Sequence, residues 1–144
     1  MYVGFLHLHN TLRWLLLVSL LITLIKYLAG WFGNQPWKKS DRILGQVFVW
    51  LMDIQLITGL ALYFFISPIT KMAFANFGAA MKDDSLRFYA VEHITIMVIA
   101  VALVHLGWEK SKKARTDLAR FRIVSIFFLI TLMLLMAGIP WGRL

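Results

Sequence analysis

Ionisable side chains inside apolar stretches are the residues of this chain whose types and spacing could do chemistry. His7 and His9 stand in the segment "LHLHNTLRW", and Arg13 follows four residues after His9. His93 lies in a later apolar stretch, and Asp53 lies in another. Imidazole nitrogens bind metals and carry protons near neutral pH, and carboxylates carry protons too. These residues therefore indicate metal binding or proton transfer in apolar surroundings.

The stretches that hold these residues are long enough to cross a membrane. The 144-residue chain is 60% hydrophobic, and a transmembrane helix needs about 20 mainly apolar residues. We predict one all-α integral membrane domain over residues 1–144, an up-and-down bundle of four transmembrane helices. The helices are predicted at about 5–28, 43–66, 87–108 and 121–141. Asp41 is placed to cap the second helix, and Asp84 or Ser85 to cap the third.

Lysine and arginine are concentrated in the connections after the first and third helices. These connections contain "PWKKSDR" and "EKSKKARTDLARFR". Because Lys and Arg are enriched in cytoplasmic loops, both termini are predicted to lie outside the cytoplasm, in a multi-pass protein of the bacterial inner membrane. We assign the net charge of +8 to this topology and to contact with lipid headgroups rather than to nucleic-acid binding.

His9 and His93 are predicted to lie at the same depth in the bundle. They stand about four and six residues into the first and third helices, which run in the same direction, so both lie roughly 6–9 Å below the outer boundary. His105 is twelve residues after His93 and lies about 18 Å deeper. Helices one and three of an up-and-down bundle are diagonal, roughly 11–14 Å apart. That separation suits two imidazoles that bind the iron of a haem lying edge-on between helices two and four.

Several neighbours of the two histidines also suit a haem. Arg13, one turn from His9, and Arg87, at the mouth of the third helix, are predicted to bind the propionates, because Arg pairs bidentately with carboxylates. Gly59, Ala90 and Ala100 are predicted to leave room for the flat macrocycle. A stripe at every fourth position of the second helix consists of Gln55, Gly59 and Tyr63.

Other assignments stay open on the residues alone. His7 and His9 are two apart and point to opposite sides of a helix, so only one can face the slot. We prefer His9 for its depth and its cationic neighbour, and keep His7 and His105 as alternative metal ligands. Each histidine could instead be an interfacial hydrogen-bonding residue with no cofactor. Asp53 could be a proton relay, could be protonated, or could pair with Lys26 or with a partner subunit.

Five short segments, in order over most of the chain, carry a resemblance to a known family. They are "LHLHNTLRW" at 6–14, "DRILG" at 41–45, "IQLITGL" at 54–60, "RFYAVEH" at 87–93 and "IPW" at 139–141. With them the chain resembles small bacterial membrane proteins usually labelled cytochrome b-like. The resemblance implies a non-covalent haem b with His9 and His93 as axial ligands. Large respiratory cytochromes b place ligand histidine pairs on each of two helices, whereas here only the third helix has two histidines at separate depths, so we predict one haem.

The function predicted from the sequence is that of a membrane b-type cytochrome with one bis-histidine haem near the outer face. It would exchange electrons with quinol or with other respiratory-chain subunits. A six-coordinate iron has no open position, so we expect an electron-transfer protein or subunit rather than a stand-alone enzyme. Two alternatives are a cofactor-free accessory subunit of a larger membrane complex and a metal- or proton-handling membrane protein. The lipid bilayer is the predicted surrounding, and a homo-oligomer is compatible with the sequence.

Overall fold

The computed structural model describes residues 1–143, and their regular structure is helical. Two π-helical segments occur, Leu62–Ile66 as the continuation of α2 and Phe88–Glu92 between α5 and α6, and a single 3-10 turn covers Trp141–Arg143. The α-helices are α1 Tyr2–Phe32, α2 Lys39–Ala61, α3 Pro68–Ala75, α4 Phe77–Ala80, α5 Asp84–Arg87, α6 His93–Lys112 and α7 Asp117–Gly138.

Four helical spans among the described residues are long and apolar enough to cross a membrane, which confirms an all-α, multi-pass membrane protein. They begin three or four residues earlier than predicted, because helical hydrogen bonding continues into the polar interface, where apolar composition no longer marks it. The spans are Tyr2–Phe32, Lys39–Ile66, Asp84–Lys112 and Asp117–Gly138.

The spans are arranged so that α1 and α6 lie diagonally across the bundle. α1 packs against α2 and α7, and α6 packs closely against α7 but more loosely against α2. This is the diagonal that up-and-down connectivity predicts for the first and third spans. The side of the bundle where α2 and α6 meet is here called the α2–α6 seam. The contact there is the loosest between neighbouring spans, so this side has the most room between helices.

An aromatic core fills the end of the bundle at the first and third connections, here called the basic end after their lysines and arginines. Tyr27, Phe48, Phe121 and Phe128 are completely buried. Trp108 stacks on Phe128 with the ring centres 6.5 Å apart. Aromatic pairs of this kind contribute about 0.5–1.5 kcal/mol each beyond the burial of their area. This core holds the spans together at the basic end and leaves space between them at the other end.

Asp41 is a buried carboxylate that closes the start of α2. It accepts a hydrogen bond from the backbone N–H of Lys38 at 2.8 Å and forms an ion pair with Lys26 at 3.0 Å. Its backbone carbonyl accepts a hydrogen bond from the Tyr27 hydroxyl at 2.7 Å. A buried charge needs such partners, because an unpaired one is strongly destabilising. The prediction that Asp41 caps the second helix is confirmed, and Lys26 is bound here rather than by Asp53.

The third span begins with a different cap from the one predicted. Asp83, and not Asp84 or Ser85, is the N-cap, and its carboxylate accepts the backbone N–H three residues on at 2.8 Å. Asp84 instead binds the Arg87 guanidinium at 2.9 Å, and Glu92 binds the same group at 2.8 Å. Arg87 therefore forms ion pairs with two carboxylates at the surface of the bundle.

Candidate functional site

The structure brings His9 of α1 and His93 of α6 together across the diagonal of the bundle. Their ring centres are 6.4 Å apart and the ring planes are inclined at 78°. A metal–imidazole bond is about 2.0–2.1 Å long and a ring nitrogen lies roughly 1.1 Å from its ring centre, so one metal ion in line between two imidazoles separates the centres by about 6.3 Å. The two rings are therefore spaced for a shared metal, and their equal depth is as the sequence predicts.

Hydrogen bonds assign the ring proton to the same nitrogen, Nδ1, in both histidines. His93 Nδ1 lies 2.7 Å from the carbonyl oxygen of Gly138, which only accepts, so Nδ1 carries the proton. His9 Nδ1 lies 3.3 Å from the hydroxyl oxygen of Thr58, which donates its own proton to the carbonyl of Gln55 and so accepts from the ring. Both rings thus have an unprotonated Nε2, and metal-binding histidines are commonly held in this way by their other nitrogen.

The predicted stripe on α2 lies against His9 and lines the cavity beside it. The Gln55 amide nitrogen donates to the backbone carbonyl of His9 at 3.0 Å and approaches His9 Nε2 at 3.5 Å. A Cβ at Gly59 would lie 3.1 Å from His9 Cε1, closer than most Cβ contacts. Gly59 therefore gives space to the ring of His9, where the sequence predicted that it would give space to a macrocycle.

A cavity of about 320 Å³ lies between the two histidines and the α2–α6 seam. Leucine, isoleucine, methionine and valine make up half of the residues that line it. Ligand cavities typically hold about 300–1,000 Å³ and combine an apolar lining with a few polar groups. The polar or charged side chains in this lining include Asn10, Arg13, Gln55, Ser67 and Thr70.

Arg13 is a buried cation that lines this cavity without a carboxylate partner among residues 1–143. It is 8% exposed, and its Nη1 donates to Asn10 at 3.1 Å. Its Nε is buried with no hydrogen-bond partner in the described chain. A buried guanidinium in this state is costly unless an anion meets it. The cavity therefore contains one positive charge without a carboxylate beside it, and this charge lies one turn from His9.

The two π-helical segments face each other at the mouth of the cavity. The Tyr63 hydroxyl, in the segment Leu62–Ile66, donates to the backbone carbonyl of Ala90, in the segment Phe88–Glu92, at 2.6 Å. Thr70 donates to the carbonyl of Tyr63 at 2.7 Å. Such segments are frequent at functional sites. The segment Phe88–Glu92 directly precedes the second histidine, and the segment Leu62–Ile66 ends the second span, so the hydrogen bond between them ties the end of one span to the start of the next.

Six residues predicted for the site do not line the cavity, among them Arg87, His7, Ala90 and Ala100. Arg87 is held by its two carboxylates, and His7 is exposed on another side of α1. Ala90 packs in a small cluster beneath α3 and α4, and Ala100 belongs to the main core. The small alanine side chains allow close contact between segments of the chain itself.

Asp53 pairs with His105, a pairing that the sequence did not predict. His105 Nε2 and Asp53 Oδ1 are 2.6 Å apart, joining α2 to α6 across the seam. Neither residue lines the cavity. Within residues 1–143, His105, kept as an alternative metal ligand, is bonded to Asp53 and not placed beside a second histidine. Lys26 was one of the partners considered for Asp53, and the structure pairs Asp53 with His105 instead.

Thr58 and Gly138 belong to the site and were missed by sequence reasoning. Thr58 stands next to the stripe on α2, and a polar residue at that place was the only available signal. Gly138 allows α7 to approach α6 closely, because a Cβ there would collide with Met97 and Ile96. That approach is what brings its carbonyl oxygen to the ring of His93.

Three or more histidine, aspartate or glutamate side chains grouped for metal binding do not occur within residues 1–143. Two imidazoles alone can therefore bind a metal stably only if a non-protein group fills its other coordination positions. Comparison of the chain with models of protein families, with curated proteins and with solved structures gives no match. The resemblance to cytochrome b-like proteins therefore stays a prediction.

Proposed function

We propose that this protein is a membrane b-type cytochrome in which His9 and His93 bind one non-covalent haem b. The 6.4 Å separation of the two imidazole centres carries the proposal, because it equals the spacing that a single shared metal requires. A haem held by two imidazoles supplies reversible one-electron transfer. Electron exchange with quinol or a respiratory partner follows as the proposed activity.

The residues around the histidines fit this group and hold it in defined ways. The hydroxyl of Thr58 and the carbonyl of Gly138 orient the rings and keep Nε2 unprotonated for the iron. Arg13 is proposed to bind a propionate, since that carboxylate would meet its buried, unpartnered guanidinium. The apolar lining excludes water from the metal and favours electron transfer over ligand exchange.

The orientation of the chain in the membrane is part of the proposal. Lys38, Lys39 and Arg42 follow the first span, and a second basic cluster follows the third. These connections lie at the basic end, so the positive-inside rule places that end in the cytoplasm and both termini outside it. In a bacterium the haem would then lie near the periplasmic side of the inner membrane.

The test is the visible spectrum of the protein purified from cells supplied with haem precursor. We expect a low-spin Soret band and a sharp α-band on reduction. His9→Ala and His93→Ala should each abolish both bands. His7→Ala is the matched control, because this histidine is two residues from His9 and exposed, and it should leave the spectrum unchanged.

A colourless wild-type protein from such cells would refute the proposal and leave the accessory-subunit alternative. Loss of haem in His7→Ala but not in His9→Ala would show that the ligand assignment is wrong. The two results are distinguishable because the first concerns the presence of haem and the second concerns its ligand.

A further inference from the structure

The geometry points to the Asp53–His105 pair as the binding site for the head group of a lipid-soluble quinone and its hydroquinone. The pair joins α2 to α6 at 2.6 Å on the α2–α6 seam. The binding site itself is independent of the haem. Only the assignment of its ligand as the electron donor rests on the proposed function.

The depth of the pair restricts the kind of ligand that can reach it. Asp53 lies about 20 Å along the helix from either end of the span Lys39–Ile66, and His105 lies about 10 Å from the basic end of the span Asp84–Lys112. The pair therefore lies within the apolar part of the bundle, nearer to its basic end. A ligand that reaches the pair from the outside of the bundle must enter these apolar surroundings, which favours a lipid-soluble molecule.

Exposure shows that the pair is open to the outside of the bundle. The side chains of His105 and Asp53 are 44% and 38% exposed, whereas polar residues within a membrane usually face the interior and pair there. The pair is joined through His105 Nε2 and Asp53 Oδ1, and the second polar atom of each side chain, Nδ1 and Oδ2, forms no hydrogen bond within residues 1–143. Two polar atoms thus remain available where the surroundings are apolar.

The hydrogen-bonding capacity of these two atoms matches a ligand that has both hydroxyl and carbonyl forms. With a neutral imidazole, Nε2–H of His105 donates to Asp53 Oδ1. Nδ1 of His105 and Oδ2 of Asp53 can then both accept hydrogen bonds, as the hydroxyl groups of a two-electron-reduced ligand require. With a protonated imidazole, Nδ1–H donates, which suits the carbonyl form. A lipid-soluble hydroquinone and quinone are one such pair of forms.

Neighbouring side chains provide apolar surface for a ring and link the pair to the cavity. Trp50, one turn from Asp53, and Leu106, next to His105, are exposed large hydrophobic residues. Leu56 and Val101, each one turn from a member of the pair, line the cavity beside His9 and His93. The proposed quinone site and the cavity therefore share the α2–α6 seam, one turn apart.

The experiment measures binding of decylubiquinone and of its hydroquinone to the whole protein in phospholipid nanodiscs. Quenching of tryptophan fluorescence, with Trp50 exposed one turn from Asp53, reports the oxidised form, and competition reports the reduced form. We expect saturable binding to the wild type. Asp53→Asn and His105→Gln should bind at least about tenfold more weakly, the effect of losing one hydrogen bond to a charged group.

Glu109→Gln is the matched control, because this carboxylate lies one turn beyond His105 and is paired with Lys112 at 2.9 Å. It should bind as the wild type does. Should a single variant fail to fold, the double variant Asp53→Leu with His105→Leu removes both members at once and leaves no unpaired charge. It should fold and show no saturable binding.

Equal affinity in the wild type and in the pair variants, or quenching that never saturates, overturns the inference. The haem spectrum is recorded on the same samples, and it should be unchanged in the pair variants. A colourless protein that still binds decylubiquinone through Asp53 and His105 would refute the proposed function while this inference stands. A red protein without saturable binding would do the reverse.

Discussion

Replacement of Arg13 by methionine should weaken haem binding much more than it changes the stability of the haem-free protein. Methionine keeps most of the length and apolar surface of the side chain and removes its charge. In the haem-free protein Arg13 is 8% exposed, with Nε buried and unbonded. A buried donor without a partner costs about 1–3 kcal/mol. Arg13→Met removes that cost.

Two favourable contacts of Arg13 are lost at the same time. They are its hydrogen bond to Asn10 and its position 5.3 Å from the ring centre of Trp14. The hydrogen bond has a charged donor and is worth about 1.5–3 kcal/mol, and the cation–π contact is worth about 0.5–1 kcal/mol. The relieved cost offsets most of this loss, so the free energy of unfolding of the haem-free variant should fall by only about 1 kcal/mol. Circular dichroism during denaturation in detergent micelles measures this.

Haem affinity should fall in the same variant. A hydrogen bond between charged groups contributes about 1.5–3 kcal/mol, which corresponds to roughly 10- to 150-fold weaker binding when it is lost. Titration of the haem-free protein, followed by the Soret band, gives the affinity. The dimethyl ester of haem has no propionate charge, so its affinity should be nearly the same for the wild type and for Arg13→Met.

The comparison of haem with its ester decides whether Arg13 binds a propionate. If Arg13→Met weakens both ligands equally, Arg13 shapes the cavity and does not meet a carboxylate. If the variant binds haem as tightly as the wild type, the interpretation of the buried guanidinium as an anion site is wrong. A large loss of haem-free stability would show that Arg13 already has an anionic partner, which the structure does not place within residues 1–143.

Two further variants separate ring orientation from general stability. Thr58→Val keeps the side-chain shape but removes the acceptor of His9 Nδ1–H at 3.3 Å. Loss of such a support costs about 10- to 100-fold in metal affinity, and because this bond is long we expect a roughly tenfold loss of haem affinity by Soret titration. An unchanged affinity would show that Thr58 does not orient the ring. Tyr27→Phe removes the buried 2.7 Å hydrogen bond to the Asp41 carbonyl at the basic end. It should lower the free energy of unfolding by about 1–3 kcal/mol in a denaturant titration and leave the haem spectrum unchanged. A changed spectrum would contradict the separation of the two ends.

Prediction from the sequence succeeded where a property follows from position along one helix. The four spans were located because a long apolar run marks a transmembrane helix without reference to its neighbours. The equal depth of His9 and His93 followed from the rise per residue and from the alternating direction of successive spans. The stripe on α2 was also identified, because residues four apart share one face of a helix.

Prediction failed where the outcome depends on how each helix is rotated about its own axis and how closely it approaches its neighbours. Asp53 pairs with His105 and Lys26 with Asp41 because of the packing of α2 against α6 and α1, and no periodicity specifies that packing. Arg87 was predicted to bind a propionate from its place at the mouth of the third span and its affinity for carboxylates, and the structure pairs it with Asp84 and Glu92.

The amino-acid sequence by itself determined that this is a four-span, all-α membrane protein with two histidines at one level. Hydropathy and rise per residue are local quantities, so they can be read from the chain. Only the tertiary structure decided that the rings lie 6.4 Å apart with their Nδ1 atoms bonded to Thr58 and Gly138. It also decided that Arg13 is buried without an anion. These features arise from side chains on different helices, and packing alone brings such side chains together.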